Sequence, residues 1–166
     1  MPTLSTILKQ KLKNASRVAV VGVGSELRGD DTAGILAARQ IEKIVDKKTT
    51  APEIKVYIGA TAPENLTGEI KRIQPTHLII IDSADFGAGA GQIAVVNPED
   101  VGGISFCTHS LPLKVMTDYL LRFLKCEIII IGIQPKNLTA GASPSKEVAR
   151  AARQVSTTIA KLLEKY

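Results

Sequence analysis

The chain is 166 residues long, 45% hydrophobic and 22% charged, with a formal net charge of +5. That balance excludes a disordered polymer and suits a single domain spanning residues 1–166. The basic residues are dispersed and not interleaved with aromatics, which argues against a nucleic-acid surface and leaves solvated helix faces with a mild attraction for acidic partners.

Leu4, Ile7, Leu8 and Leu12 recur at helical spacing, so a short amphipathic helix opens the chain. It is too charged for a signal peptide. Arg17 to Val23 is a β-branched run suited to a strand buried on both faces. Gly22 and Gly24 follow the pattern of a dinucleotide fingerprint, but the position of its third glycine holds Leu27. Two carboxylates, Asp30 and Asp31, then stand where a phosphate would lie, so the loop suits a cation better. Ile35, Ala38, Ile41, Ile44 and Val45 line one face of the next helix, which ends near Lys47 and Lys48. Ile54, Val56 and Ile58 alternate with Lys55 and Tyr57, a strand with one wet face near a sheet edge.

Thr61 to Glu64 reads as a capping box with proline in the first turn, opening a helix with Leu66, Ile70 and Ile73 inward. His77, expected at a surface or edge, precedes an Ile-rich strand ending at Asp82. A loop over Phe86 to Gly91 is too short for a helical crossover, so the strand Gln92 to Val96 should run antiparallel. After a loop with one helical turn behind Pro98, Ser110 caps a helix striped by Leu113, Met116, Leu120 and Leu124. Cys126 to Ile133 is the last strand, of strand length rather than a membrane span. Ser143-Pro144 caps a final helix with Val148, Ala152, Val155, Ile159 and Leu162 inward. Alternating strands and helices give an α/β fold: a three-layer α/β/α sandwich over a mostly parallel five-stranded sheet with one antiparallel strand.

The chemistry gathers at the carboxyl ends of the strands, where open α/β sheets bind ligands. Asp31 follows the first strand, Asp82 ends the third, and His109 stands just before a helix. An aspartate before a helix is often only an N-cap, and Asp30 and Asp31 cannot both be one. Two carboxylates and an imidazole with open positions suit a borderline divalent cation such as nickel or zinc. Cys107 lies two residues from His109, a spacing that splays a Cys–His pair apart. The cysteines, Cys107 and Cys126, have neither metal-ligand spacing nor a disulfide framework, in keeping with a cytoplasmic location. No G-x-S-x-G elbow or H-E-x-x-H helix is present.

Residues 22–34, GVGSELRGDDTAG, resemble the G-x-G-N-x-L-x-x-D-D/E-x-x-G signature of the [NiFe]-hydrogenase maturation endopeptidases. His77 to Asp82, Thr108 to Leu113 and Gly132 to Pro135 are similar to three further blocks of that family, in order along nearly the whole chain. A single histidine followed by Leu-Pro-Leu is most similar to the branch serving formate hydrogenlyase-type, hydrogenase 3-like enzymes. The resemblance implies a protease that removes a C-terminal peptide from the precursor of the hydrogenase large subunit once nickel is in place. It implies that Asp31, Asp82 and His109 contact nickel carried by that precursor, and that Asp31 and Asp82 take part in catalysis. Asp30 would cap the helix or orient the ligands, and Ser25 replaces the family's usual asparagine. A monomer is the expectation. Two alternatives stand beside this reading: a non-catalytic nickel-binding chaperone, and a peptidase with the same carboxylates but another substrate.

Overall fold

A computed structural model describes residues 1–46, 52–107 and 113–165 of the chain. Its centre is three parallel strands: β1 (Arg17–Val23), β3 (His77–Asp85) and β6 (Glu127–Ile133). Each alternates its side chains between two cores, as a doubly covered strand must. Val18 and Val20 of β1, Ile79 and Ile81 of β3, and Ile129 and Ile131 of β6 face one side. Ala19 and Val21, Leu78 and Ile80, and Ile128 and Ile130 face the other. Complete burial of each Ile or Val is worth about 1.5–3 kcal/mol, so these strands anchor the sheet.

Flanking strands complete the order β2-β1-β3-β6-β4. β2 (Glu53–Ala60) is the parallel edge strand that the alternation at Ile54 to Ile58 anticipates. β4 (Ile93–Val96) runs antiparallel to β6, as the short preceding loop requires. One strand has no counterpart in the sequence reading: β5 (Ser105–Phe106) pairs antiparallel with the last residues of β3. Two residues carry too little periodicity to register as a strand.

Helices cover both faces. α1 (Leu4–Lys11), α2 (Ala33–Val45) and α5 (Lys146–Leu163) share one core through Leu8, Ala37, Ile41, Val148, Val155 and Ile159. α3 (Thr67–Ile73) and α4 (Leu113–Phe123) share the other through Ile70, Met116 and Leu120. The architecture is the expected α/β/α sandwich.

Several termini differ from expectation. α3 is preceded by a 3-10 turn, Pro63–Leu66, with Ala62 in the N-cap position and no side-chain cap, so the Thr61 capping box is not the entry to this helix. The cap of α5 is Ser145, whose hydroxyl accepts from the Val148 N–H at 3.3 Å, rather than Ser143. The basic end of α2 at Lys47 and Lys48 and the Ser110 cap of α4 lie outside the described residues.

His77 is a further correction. It opens the central strand β3 and is only 6% exposed. Its Nδ1 lies 3.0 Å from the Thr76 hydroxyl, and its ring bonds the Lys11 backbone at the end of α1. Burial pushes its pKa below the ordinary 6.5, while nearby Glu127 and the Lys11 backbone bond pull weakly the other way. A histidine with a depressed native value binds fewer protons folded than unfolded, so stability is full above the unfolded value and drains away as pH falls below it. The urea midpoint should therefore drop between about pH 7.5 and about pH 5.5. It should drop less in a His77→Asn variant; parallel falls in both proteins would refute the assignment to His77.

Candidate active site on the carboxyl rim of the sheet

At the end of β1 the chain turns through Gly24, whose φ of 147° disfavours any side chain. A Cβ there would collide with the Asp31 carbonyl. The loop closes by bonds from the Gly24 N–H to the Ala60 carbonyl at 2.9 Å and from the Ser25 N–H to the Asp31 carbonyl at 3.1 Å. The Ser25 hydroxyl accepts from the Leu27 N–H at 3.3 Å, a local turn bond that gives this departure from the family pattern a purpose. The glycine absent at Leu27 has a functional substitute. Gly34, in the first turn of α2, lies against the Val23 and Ile81 carbonyls, so the helix packs closely over β1 and β3 where any Cβ would clash.

Asp30 and Asp31 stand in a 3-10 turn, Gly29–Thr32, and are 0% and 1% exposed. Neither caps α2: Thr32 holds the N-cap position, without a side-chain cap. Asp30 turns instead toward the loop after β6. Its Oδ2 accepts from the Lys136 N–H at 2.8 Å, the Asn137 N–H at 2.9 Å and the Ser145 hydroxyl at 3.0 Å, and its Oδ1 accepts from the Ser145 N–H at 2.5 Å. The Asp30 N–H also donates to the Asn137 carbonyl at 2.8 Å. Asp30 is thus a clamp joining the β1 loop to the start of α5, and its charge is matched by four donors.

Asp31 is placed differently. The Arg28 guanidinium lies 3.9 Å from its Oδ2 and is itself about half exposed, with side-chain exposure of 48%, so this ion pair is weak. Asp82, 1% exposed, sits within β3 rather than at its end, because the strand continues to Asp85. Its Oδ1 accepts from the Ser83 N–H at 2.7 Å. β1 and β3 are parallel neighbours with Gly22 opposite Ile81, so Asp31 and Asp82 arrive at one rim from adjacent strands, as the topology rule requires.

Cys107 marks how close the acids are. Its N–H donates to the Ser83 carbonyl at 3.0 Å. Its thiol pKa is pushed up, first by burial and further by the charges of Asp82, Asp31 and Asp85; the Ser83 side chain opposes part of the shift. A nucleophilic cysteine needs the opposite shift, toward thiolate at neutral pH. The carboxylates that crowd Cys107 argue against its use as a nucleophile.

Gln134 supplies a support that residue-level reading did not assign. Its side-chain carbonyl accepts from the Phe86 N–H at 2.9 Å and the Ala88 N–H at 3.2 Å, and its amide donates to the Asp85 carboxylate at 3.1 Å. Bonds from the Gly87 N–H and from Gln134 hold the Asp85 pKa below the usual carboxylate value. This one buried side chain fastens the loop that follows Asp82 to the end of β6.

His109 lies outside the described residues. Among the described residues, no group of three His, Cys, Asp or Glu side chains forms a metal cluster. The donor chemistry of the described part still fits a divalent cation. Two buried carboxylates on one rim repel each other, and a cation between them would offset the cost of their burial.

The HycI family, described as hydrogenase maturation protease, matches residues 35–162. The chain belongs to the HycI family of hydrogenase maturation proteases. A Methanocaldococcus jannaschii protein carrying the same family name is 33% identical over 164 residues, covering 97% of this chain and 96% of the relative. The hydrogenase 3 maturation protease of Escherichia coli is 36% identical over 116 residues, covering 68% of this chain and 69% of its own. The crystal structure of HycI from Thermococcus kodakarensis superposes with a TM-score of 0.86 at 27% identity, covering 95% of this chain and 99% of that one. The hydrogenase 3-like branch suggested by the histidine block agrees with these relatives. The first block of the signature precedes the family match, and the M. jannaschii relative spans it.

Proposed function

We propose that this chain is an endopeptidase that removes the C-terminal peptide from a nickel-loaded large-subunit precursor of a [NiFe]-hydrogenase, with the substrate's nickel as the recognition element. The observation that carries this reading is the placing of Asp31, in the turn that follows β1, and Asp82, within the neighbouring parallel strand β3, both almost completely buried in a HycI-family chain.

Nickel belongs to the substrate. It reaches the rim already held by the precursor, and Asp31, Asp82 and His109 complete its coordination. Two oxygen donors and one imidazole suit a borderline divalent ion, and their charge favours a cation over the bare peptide. Only the loaded precursor then aligns its C-terminal segment against the carboxylates. Hydrolysis needs a water activated by the metal or by an aspartate acting as general base. In both routes the protein's own contribution is a rigid pair of acids, fixed by the Gly24 turn, the Ser83 N–H and the Asp30 clamp. Catalysis of this kind depends on reacting groups being held in place before the substrate arrives.

No helix among the described residues is long and apolar enough to cross a membrane. The reading places the chain in the cytoplasm, as a monomer meeting the precursor there.

The test is to incubate purified chain with a large-subunit precursor and weigh the products. A single shortened subunit and one released C-terminal peptide are expected. A precursor that binds but stays intact would favour a non-catalytic nickel-binding module. One that neither binds nor is cut would point to a peptidase of another substrate.

A further inference from the structure

A cavity of about 390 Å³ opens beside the candidate site, between β5 and the start of α4. It is lined by Val101, Ile104, Phe106 and Leu113, with Gly102, Ser105 and Lys114 completing its rim, so its surface is more apolar than polar. This volume falls within the range of about 300–1,000 Å³ typical of small-ligand sites. Among the described lining residues the one cation is Lys114, which is met by the Asp118 carboxylate at 2.9 and 3.0 Å, so the cavity carries no unmatched charge from that side chain. An uncharged apolar group gains there by covering the apolar part of the lining.

The cavity's position gives it meaning. Ser105 pairs with Asp85 and Phe106 with Ala84, and the next residue, Cys107, bonds the Ser83 carbonyl. Asp82 directly precedes Ser83. The wall of the cavity is therefore the strand hydrogen-bonded to the segment that carries the candidate catalytic acid. Adjacent strands lie about 4.8 Å apart, so the lining residues Ser105 and Phe106 stand one strand away from Asp85 and Ala84, two to three residues past Asp82.

Resting on the function proposed above, we infer that this cavity is a specificity pocket for an uncharged apolar side chain of the precursor, close to the scissile bond. Seating that side chain sets the register of the peptide against Asp31 and Asp82. The metal identifies a loaded precursor, and the pocket selects which peptide bond faces the acids.

Gly102 offers a direct test. A Cβ built there meets no heavy atom within 4 Å, so a side chain at this position enters open space rather than the core. Gly102→Leu sets a bulky side chain at the edge of the pocket, and Gly102→Ala sets a small one there. A second probe is Ser105→Lys at the exposed end of β5, opposite Asp85, where the new charge gains a cross-strand partner and also lies at the pocket mouth.

The experiment measures binding and cleavage of nickel-loaded precursor by wild type and the three variants. A panel of precursors would carry each apolar residue near the cut changed to alanine. G102L and S105K are expected to lose about tenfold or more in kcat/KM, the scale of a misfit in an apolar pocket. G102A should stay within about twofold of wild type, since its added side chain is small. One alanine change in the precursor should weaken wild type by a similar factor yet cost G102L almost nothing, the non-additivity of groups that touch. Unchanged melting temperatures confirm that the variants fold. The pocket is refuted if wild type cuts and G102L and S105K cut every precursor equally fast. It is also refuted if their losses add with every alanine change. A wild-type chain that neither binds nor cuts removes the function reading, and this inference with it.

Discussion

Asp31→Asn and Asp82→Asn are each expected to lower cleavage of nickel-loaded precursor by about 10²–10⁴-fold, the usual contribution of a positioned acid–base group. Each amide keeps the size of the side chain and removes its charge. The stability cost should be small, because the Arg28 guanidinium that pairs with Asp31 at 3.9 Å is half-exposed, and removing one of two neighbouring negative charges relieves repulsion. Initial rates and thermal melts on the same preparations check both halves. The double variant should be little worse than either single one, since groups acting as a unit do not contribute additively. Substantial cleavage by an Asp31→Ala, Asp82→Ala double variant would remove the carboxylates from the mechanism.

The adjacent acid should behave in the opposite way. Asp30→Ala leaves the N–H groups of Lys136, Asn137 and Ser145 and the Ser145 hydroxyl without their acceptor. Removing one side of a buried charge network costs about 3–5 kcal/mol, a large share of the about 5–15 kcal/mol that holds a domain of this size together. The urea midpoint should fall accordingly, and amide exchange in the first turn of α5 should rise, because its cap Ser145 is held by Asp30. Activity per folded molecule should fall less than in the Asp31 variant. An Asp30→Ala protein as stable as wild type would mean that the clamp is not what secures the loop after β6. The expected loss of stability would instead give the two neighbouring aspartates separate duties, Asp30 stabilising the rim and Asp31 acting on it.

This division shows where sequence reasoning reaches its limit. The strands that open at Arg17, His77 and Glu127 are legible because unbroken apolar runs follow those residues and suit a strand covered on both faces. The antiparallel β4 follows from a connection too short for a helix. Asp31 and Asp82 converge because right-handed crossovers put the carboxyl ends of parallel strands on one rim, and that rule needs no side-chain detail. The role of Asp30 is a different matter. Its partners lie 106 to 115 positions further along the chain, and no local pattern distinguishes a clamp from a cap. The burial of His77 is illegible for the same reason: it is imposed by the end of α1 and by β6, neither of which is its sequence neighbour. β5 exists only because β3 runs on past Asp82 and offers it an edge.

The most direct test of the central claim compares one large-subunit precursor with and without nickel, each incubated with this chain and analysed by mass spectrometry. Loss of the C-terminal peptide from the nickel-loaded form alone is the expected result. Equal cleavage of both forms would contradict the claim that the metal in the substrate is what the acidic rim recognises.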